Sequence, residues 1–394
     1  MTKFTVRILT AVITFAIGVA IATAWVFDRT EEPTIAPVSL SSNGPSMEMV
    51  FVLDTTASMG GLLTGAKERI WGIVNEVMQT SKLSSVKVGL VAYRDRGDLY
   101  VTQVLPLTDD LDRVYSTLMD YEPVGGGDEP ENVRRALAEG VSQAGWSRPS
   151  PGNAQILFLV GDAPPHDYSD EPDTLTTADL AVKQGIIVNT IQCGNSASTK
   201  QVWEAIARRG QGQYFLIPQD GGVQTISTPY DVQLSELGSR LGGTSMAYGG
   251  GAGADGVRYR VERKEMSDKL EYDVATRSAP SAAAERTVNK VLNSKAYVGD
   301  LLQDIENGSK KLESVKNEDL PTELQKLSLE EQTKEIAKRL AERREIRKQI
   351  LDLSQKRTEY IAAERKKRTG GSQNGFDVAV SAALRDQLAK KGIR

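Results

Sequence analysis

The fold is decided by the stretch Met49-Val50-Phe51-Val52-Leu53-Asp54-Thr55-Thr56-Ala57-Ser58. Its first five residues are apolar without a polar face, which is typical of a strand buried on both sides of a parallel sheet. The run ends at an aspartate that is followed by hydroxyl side chains, so a polar loop begins where the strand stops. This pattern predicts an α/β fold with polar groups at the carboxyl end of a central strand.

A second run of the same kind, Ile156–Val160, is also followed by an acid, since Gly161 and Asp162 come directly after it. Further segments alternate between strand-like and helix-like spacing. Strands are predicted at 86–93, 100–107, 186–191 and 213–217, and helices at 60–78, 110–119, 129–144, 175–184 and 201–208. This alternation predicts a doubly wound, mostly parallel sheet flanked by helices over residues 46–248.

Residues 1–27 contain an apolar segment in which Lys3 and Arg7 precede the uncharged run Ile8–Phe27. That run is about 20 residues, roughly one bilayer span as a helix. Ala22-Thr23-Ala24 suits cleavage of a signal peptide, whereas Trp25–Phe27 extends the run as in an uncleaved inner-membrane anchor. Both alternatives stay open. Both export the rest of the chain, to the periplasm if it is anchored or as a secreted protein if it is cleaved, and residues 28–45 form a linker.

The second half of the chain has a different character. Residues 249–280, which begin with a glycine-rich run, are predicted as a hinge and linker, and residues 281–394 as a helical, coiled-coil-like region. Ser328 and Glu331 have the form of a capping box at the start of a helix that should reach about Arg368. Its narrow apolar stripe suits contact with other helices. The stripe consists of Leu329, Ile336, Leu340, Ile346, Ile350, Leu353, Tyr360 and Ile361.

Charge divides the chain, whose net charge is −4. Residues 46–240 hold 25 acids and 15 bases, net −10, and residues 250–394 hold 24 acids and 30 bases, net +6. The tail could therefore fold back on the acidic domain, pair with a second copy, or reach another protein. Its basic runs are interspersed with acids and lack aromatic residues, so no nucleic-acid binding is expected. The single cysteine, Cys193, and the single histidine, His166, exclude a disulfide and a cysteine–histidine zinc cluster.

Asp54 and Asp162 should meet at one edge of the sheet. Ligands of doubly wound sheets bind at the carboxyl ends of the strands, and two acids there repel each other unless a cation lies between them. Thr56 and Ser58 add hydroxyl oxygens, which together with carboxylates are the ligands that Mg²⁺ prefers. The four residues predict a divalent-metal site with open positions. The alternative is a simple strand-end turn that caps the next helix.

The motif Asp54-Thr55-Thr56-Ala57-Ser58-Met59, with Asp162 later, resembles the metal-ion-dependent adhesion site (MIDAS) of von Willebrand factor A (vWA) domains. The family's site also uses a threonine from a middle loop, which here reads Val124-Gly125-Gly126-Gly127-Asp128-Glu129-Pro130-Glu131, without a threonine. Asp128 is the predicted substitute, with a helix N-cap as the alternative. This loop is similar to that of hemicentin-like and bacterial exported vWA proteins, and the resemblance covers about half of the chain.

The resemblance implies a metal set of Asp54, Thr56, Ser58, Asp128 and Asp162 that holds Mg²⁺, or else Mn²⁺ or Ca²⁺. It implies a binding module, and not an enzyme, whose protein partner presents Asp or Glu to the cation. The N-terminal apolar run and the helical tail would make this module a tethered adaptor in the cell envelope. A third carboxylate beside the ion should tighten metal binding and weaken its pull on that partner.

Two other functions remain open. One is a phosphatase-like hydrolase with Asp54 as nucleophile and Mg²⁺ held by Asp162 and Asp167. The other is a structural envelope protein that acts through its helical tail, with self-association through that tail as a further expectation.

Overall fold

The structure is a computed structural model and describes residues 44–80, 83–217, 226–292, 299–368 and 376–393. The predicted N-terminal apolar run and the linker up to residue 43 lie outside these residues. None of the helices in the described ranges is both long enough and apolar enough to cross a membrane.

One mixed sheet carries the first half of the described chain. Its strands are β1 (Ser46–Asp54), β2 (Ser85–Tyr93), β3 (Thr102–Thr108), β4 (Asn153–Gly161), β5 (Ile186–Cys193) and β6 (Gln211–Ile217). They are ordered β3-β2-β1-β4-β5-β6, and only the β2–β3 pairing is antiparallel. The chain builds one side of the sheet from β1 and the other from β4, so the switch point lies between these two strands. The predicted doubly wound sheet is confirmed.

Helices cover both faces of this sheet. They are α1 (Gly60–Thr80), α2 (Leu111–Asp120), α3 (Val133–Ser142), α4 (Thr174–Lys183) and α5 (Ala197–Arg209). Because successive side chains of a strand point to opposite faces of the sheet, β1 contributes residues to two hydrophobic cores. Met49, Phe51 and Leu53 pack with α1 and α2, whereas Val50 and Val52 pack with α3, α4 and α5. This explains why the deciding run is apolar at every position.

The rest of the described chain is helical. It contains α6 (Asp231–Gly243), α7 (Gly253–Arg277), α8 (Pro280–Leu292), α9 (Leu301–Glu306), α10 (Thr322–Gln325), α11 (Leu329–Arg368) and α12 (Phe376–Lys390). The capping box is confirmed, because the Ser328 amide donates to Glu331 Oε2 over 2.8 Å and the Glu331 amide approaches Ser328 Oγ at 3.4 Å.

The predicted stripe of α11 packs within the same chain. Ile346, Ile350 and Leu353 join residues of α6 and α8, and Ile336 and Leu340 join residues of α9. Leu329 is exposed, so its predicted place in the stripe is wrong; it lies in the first turn of α11, outside that apolar cluster. The described residues from Gly44 onward belong to one compact unit, so the tail folds back on the acidic domain.

The glycine-rich run that was predicted as a hinge is tied down by hydrogen bonds. The amides of Gly249 and Gly251 donate to the backbone and side chain of Asp319 at 2.7 Å each. The buried guanidinium of Arg260 donates to the carbonyls of Gly249, Gly251 and Glu318. Helix α7 begins within this segment, while the domain boundaries at 248 and 280 stay predictions.

Candidate metal centre

The candidate centre lies at the switch point of the sheet. Asp54 is the last residue of β1, and Asp162 directly follows β4, the parallel neighbour of β1. Asp54 and Thr56 are fully buried, Asp162 is half-buried, and Ser58 is exposed. The crevice is therefore closed at Asp54 and open to solvent beside Ser58 and Asp162.

A chain of short contacts joins four of the predicted ligands. Asp54 Oδ1 accepts hydrogen bonds from the Thr56 amide at 2.9 Å and from Thr56 Oγ1 at 2.7 Å. Ser58 Oγ donates to Asp162 Oδ1 at 3.0 Å, and the oxygens Thr56 Oγ1 and Ser58 Oγ are 3.0 Å apart. Either hydroxyl can donate in this last contact, so the four side chains form one continuous chain of hydrogen bonds along the crevice.

The acids of the centre repel each other in the absence of a cation. Burial, and then the charge of Asp162, raise the pKa of Asp54 to about 7, and burial raises the pKa of Asp162. Asp54 Oδ2 is buried and has no hydrogen-bond partner among the described residues. A buried carboxylate oxygen without a partner is costly, and a bound cation would offset that cost.

The structure does not bring the fifth predicted ligand, Asp128, into this cluster. Its exposed carboxylate contacts His166 Nε2 at 3.0 Å instead. It is not the N-cap of α3 either, because Asn132 holds that position and accepts from the Arg135 amide. The middle loop turns sharply at Gly125 and Gly126, whose φ angles are +89° and +78°, and this turn carries Asp128 outward.

Glu131 takes the place beside the centre that was expected for Asp128. A Cβ atom added to Gly126 would lie 3.1 Å from Glu131 Oε1 and 3.4 Å from Thr56 Cβ, so the glycine backbone fits closely between these two side chains. Glu131 is 2% exposed, and its Oε2 has no hydrogen-bond partner among the described residues. Burial, and then the charge of Asp54, raise the pKa of Glu131 to about 9.

Sequence reasoning missed Glu131, although it ends the glycine-rich loop. Its inward direction depends on a bridge between distant loops, in which the Glu131 amide donates to Pro164 O and the His166 amide donates to Glu131 O. Asp167, the second metal ligand of the phosphatase alternative, is exposed and pairs with Arg134. Cys193 is buried, as expected of an inert thiol.

The residues present fit a hard divalent cation. Three carboxylates (Asp54, Glu131 and Asp162) and two hydroxyls (Thr56 and Ser58) surround the crevice, and two buried carboxylate oxygens lack partners among the described residues. An all-oxygen set of this kind suits Mg²⁺, Mn²⁺ or Ca²⁺.

Comparison with known proteins gives the same region a family. A family model described as "von Willebrand factor A domain" matches residues 48–229. The chain is 39% identical over 123 residues to von Willebrand factor A domain-containing protein 7 of Rattus norvegicus, which covers 31% of this chain and 12% of that protein. It is 27% identical over 131 residues to a putative ariadne-like RING finger protein of Acanthamoeba polyphaga mimivirus, which covers 33% of this chain and 12% of that protein.

Both matches thus span about an eighth of the relatives' length. Among solved structures, the chain is similar to the conserved hypothetical protein BatB from Bacteroides thetaiotaomicron, with a TM-score of 0.33 and 19% identity over 44% of this chain and 91% of that chain. The matched family and the order of the sheet agree on the same residues. The described residues between 48 and 229 have the fold of a von Willebrand factor A domain, with a mostly parallel six-stranded sheet flanked by helices.

Proposed function

We propose that this chain is a metal-dependent protein-binding module. Asp54, Thr56, Ser58 and Asp162, with Glu131 beside them, would hold Mg²⁺, or else Mn²⁺ or Ca²⁺. The observation that carries the proposal is the buried Asp54 Oδ2, which has no hydrogen-bond partner in the described part of the chain, at a crevice that opens to solvent at Ser58. A bound cation supplies a Lewis-acidic point that a partner's carboxylate can bind.

The charges of the site are compatible with an acidic partner. Two ionised carboxylates, Asp54 and Asp162, neutralise one divalent cation. Without the cation, burial and the charge of Asp54 raise the pKa of Glu131 to about 9. With the cation bound, Glu131 would ionise more readily, and as a third carboxylate it would weaken the cation's pull on a partner. An Asp or Glu side chain of a partner can approach the cation from the open side at Ser58.

Binding is better supported than catalysis. Asp54 is fully buried and is held by Thr56, which leaves little room for attack on a substrate. Asp167, which a phosphatase mechanism would need beside Asp162, is bound to Arg134. We therefore propose that the protein is not an enzyme.

We also propose that this module lies in the cell envelope, which the apolar run in residues 1–27 of the sequence supports. The N-terminal apolar run would tether the protein to the inner membrane with its bulk in the periplasm, as in the bacterial exported, hemicentin-like vWA proteins that the middle loop resembles. Self-association through the helical tail stays a prediction, and light scattering of the purified chain tests it.

Calorimetric titration of Mg²⁺, Mn²⁺ and Ca²⁺ into the full-length chain tests the proposal. We expect one-site binding that Asp54→Asn abolishes and that Asp167→Asn, a control at an exposed acid, leaves unchanged. The immobilised chain should then retain an envelope protein in Mg²⁺ and release it in chelator. Retention that survives both chelation and Asp54→Asn would contradict metal-dependent binding.

A further inference from the structure

A second cluster of metal-ligating side chains lies on the same end of the sheet. Asp95 comes from the loop after β2, Asp128 from the middle loop, and His166 from the loop after β4. His166 Nε2 is 3.0 Å from Asp128 Oδ2 and 3.3 Å from Asp95 Oδ2. One ligand atom from each residue lies within 4.8 Å of the other two.

In this cluster the carboxylate oxygens that can accept a hydrogen bond outnumber the hydrogens available to them. An imidazole Nε2 carries at most one hydrogen, so it can donate fully to only one of the two carboxylates. Around a metal with bonds of about 2.0–2.2 Å, neighbouring ligand atoms are about 3 Å apart. The two nitrogen–oxygen distances of 3.0 and 3.3 Å fit this spacing, and the two carboxylate oxygens lie within 4.8 Å of each other, so one ion can contact all three atoms.

Surrounding residues hold the cluster in place. Asp95 is 6% exposed, and both of its oxygens contact the Tyr168 hydroxyl, at 2.8 and 3.0 Å. The Tyr168 ring stacks on His166 with centroids 4.8 Å apart and carries the Arg96 guanidinium on its face at 3.8 Å. The His166 amide donates to the Glu131 carbonyl at 2.9 Å. Such outer contacts fix the orientation of metal ligands.

In the described part of the chain, no permanently charged basic side chain pairs with the two carboxylates of this cluster. Within the described ranges no lysine or arginine forms an ion pair with Asp95 or Asp128, and the nearby Arg96 pairs with Asp170 and Glu171. A mostly buried carboxylate such as Asp95 needs compensation. A divalent cation gives it to both acids at once, while the imidazole stays neutral.

We propose that Asp95, Asp128 and His166 bind a divalent transition-metal ion, such as Zn²⁺ or Mn²⁺, at a site separate from the centre at Asp54. An imidazole nitrogen favours these ions over Mg²⁺ and Ca²⁺, which prefer oxygen throughout. The proposal does not depend on the proposed function, because none of its three ligands belongs to the centre at Asp54.

His166 is the only histidine, so every imidazole signal of the protein reports on this site. The experiment is a titration of Zn²⁺ into the full-length chain, labelled with ¹⁵N-histidine, purified without a histidine tag and kept in excess Mg²⁺. We expect one equivalent of Zn²⁺ to shift the His166 Nε2 resonance, and Co²⁺ to give a visible absorption band. His166→Ala should abolish binding, and Asp128→Asn should weaken it about 10–100-fold.

Two controls separate this site from others. Asp54→Asn and Asp167→Asn should bind Zn²⁺ like the wild type, and Asp128 is exposed enough for its variant to fold normally. Imidazole resonances that stay unchanged at millimolar Zn²⁺ would overturn the proposal, because they would leave only the contacts of His166 with the two acids. Loss of Zn²⁺ binding in Asp54→Asn would overturn it too, since the ion would then occupy the other centre.

Discussion

Glu131 and Asp128 lie three residues apart in one loop, yet the fold places them in different surroundings. Glu131 is buried beside Thr56, and Asp128 is exposed beside His166. We predict that Glu131→Gln weakens Mg²⁺ binding at the Asp54 centre about 10–100-fold, the usual effect of losing a partner around a metal site. Asp128→Asn should leave that affinity unchanged. Calorimetry of Mg²⁺ binding to the two variants measures these effects. A larger loss of affinity in Asp128→Asn than in Glu131→Gln would restore Asp128 as the ligand.

The acids of the centre also predict how stability depends on pH. Burial and mutual repulsion raise the pKa of Asp54 to about 7 and that of Glu131 to about 9. The metal-free folded state therefore binds protons more tightly than the unfolded state does, so its free energy of unfolding should fall as pH rises from about 4 to about 9. The expected loss is on the order of a few kcal/mol.

Thermal unfolding in chelator between pH 5 and 9 measures this effect. Saturating Mg²⁺ should remove most of the pH dependence, because the cation compensates the ionised acids. Asp54→Asn should flatten the curve without metal. A metal-free protein that becomes more stable toward pH 9 would show that these carboxylates are not destabilised by burial.

At the scale of the element, strand β4 must end in a glycine. A Cβ on Gly161 would overlap the Tyr93 hydroxyl and lie 3.0 Å from Asp54 Oδ2. Since the strand is fixed by pairing on both sides, we predict that Gly161→Ala lowers the free energy of unfolding by about 1–3 kcal/mol and abolishes Mg²⁺ binding. Gly127→Ala is the matched control, because its Cβ would meet nothing within 4 Å. Equal effects of the two substitutions in denaturant unfolding and calorimetry would contradict this account.

The sequence predicts those strands and helices whose buried residues are apolar and regularly spaced. The strands Met49–Leu53 and Ile156–Val160 could be predicted because both of their faces are covered by helices. Helix α7 was not predicted, because its buried positions include Arg260 and Glu271, which pair with groups far along the chain. Polar burial of this kind depends on the tertiary partner and leaves no apolar stripe.

Four residues of the centre could be predicted because they lie at or just after strand ends. They are Asp54, Thr56, Ser58 and Asp162, and the order of the strands brings them together. Glu131 comes from a loop whose path depends on two left-handed glycines and on a bridge to the loop after β4. The spacing of residues in the sequence indicates neither the left-handed glycines nor the bridge.

At the scale of the whole molecule, the charge asymmetry lets basic residues of the helical region form ion pairs with acids within residues 46–240. Arg286 of α8 pairs with Asp112 of α2, and Arg357 of α11 pairs with Asp231 of α6. Buried polar contacts add to these pairs, since Asn75 of α1 donates to Glu285 of α8. The basic tail thus uses part of its excess charge to attach to the acidic domain. Other bases are paired inside the helical region, as the buried Arg343 is with Asp300.

Arg286 is the centre of this attachment, and its loss should show how firmly the helical region is held. Its guanidinium is 2% exposed and contacts Glu271 at 3.0 Å as well as Asp112. Burial opposes ionisation of Glu271, but Arg286 and Lys290 outweigh it and lower the pKa of that carboxyl to about 2. Arg286→Ala would leave Glu271 buried beside Lys290 alone. We predict a loss of about 3–5 kcal/mol in the free energy of unfolding.

Arg277→Ala is the control. Among the described residues Arg277 pairs only with Asp273 of its own helix, and its side chain is exposed. Its loss should cost about 0–1 kcal/mol. The depressed pKa of Glu271 adds a pH signature. The contribution of ionised Glu271 to the free energy of unfolding should be complete above about pH 5. It should be lost as pH falls through about 4 toward 2, since protonation of Glu271 breaks its ion pair. Denaturant unfolding of the full-length chain at pH 7 and pH 3 measures both effects. If Arg286→Ala matches Arg277→Ala at pH 7, apolar contacts alone hold the helical region to the domain.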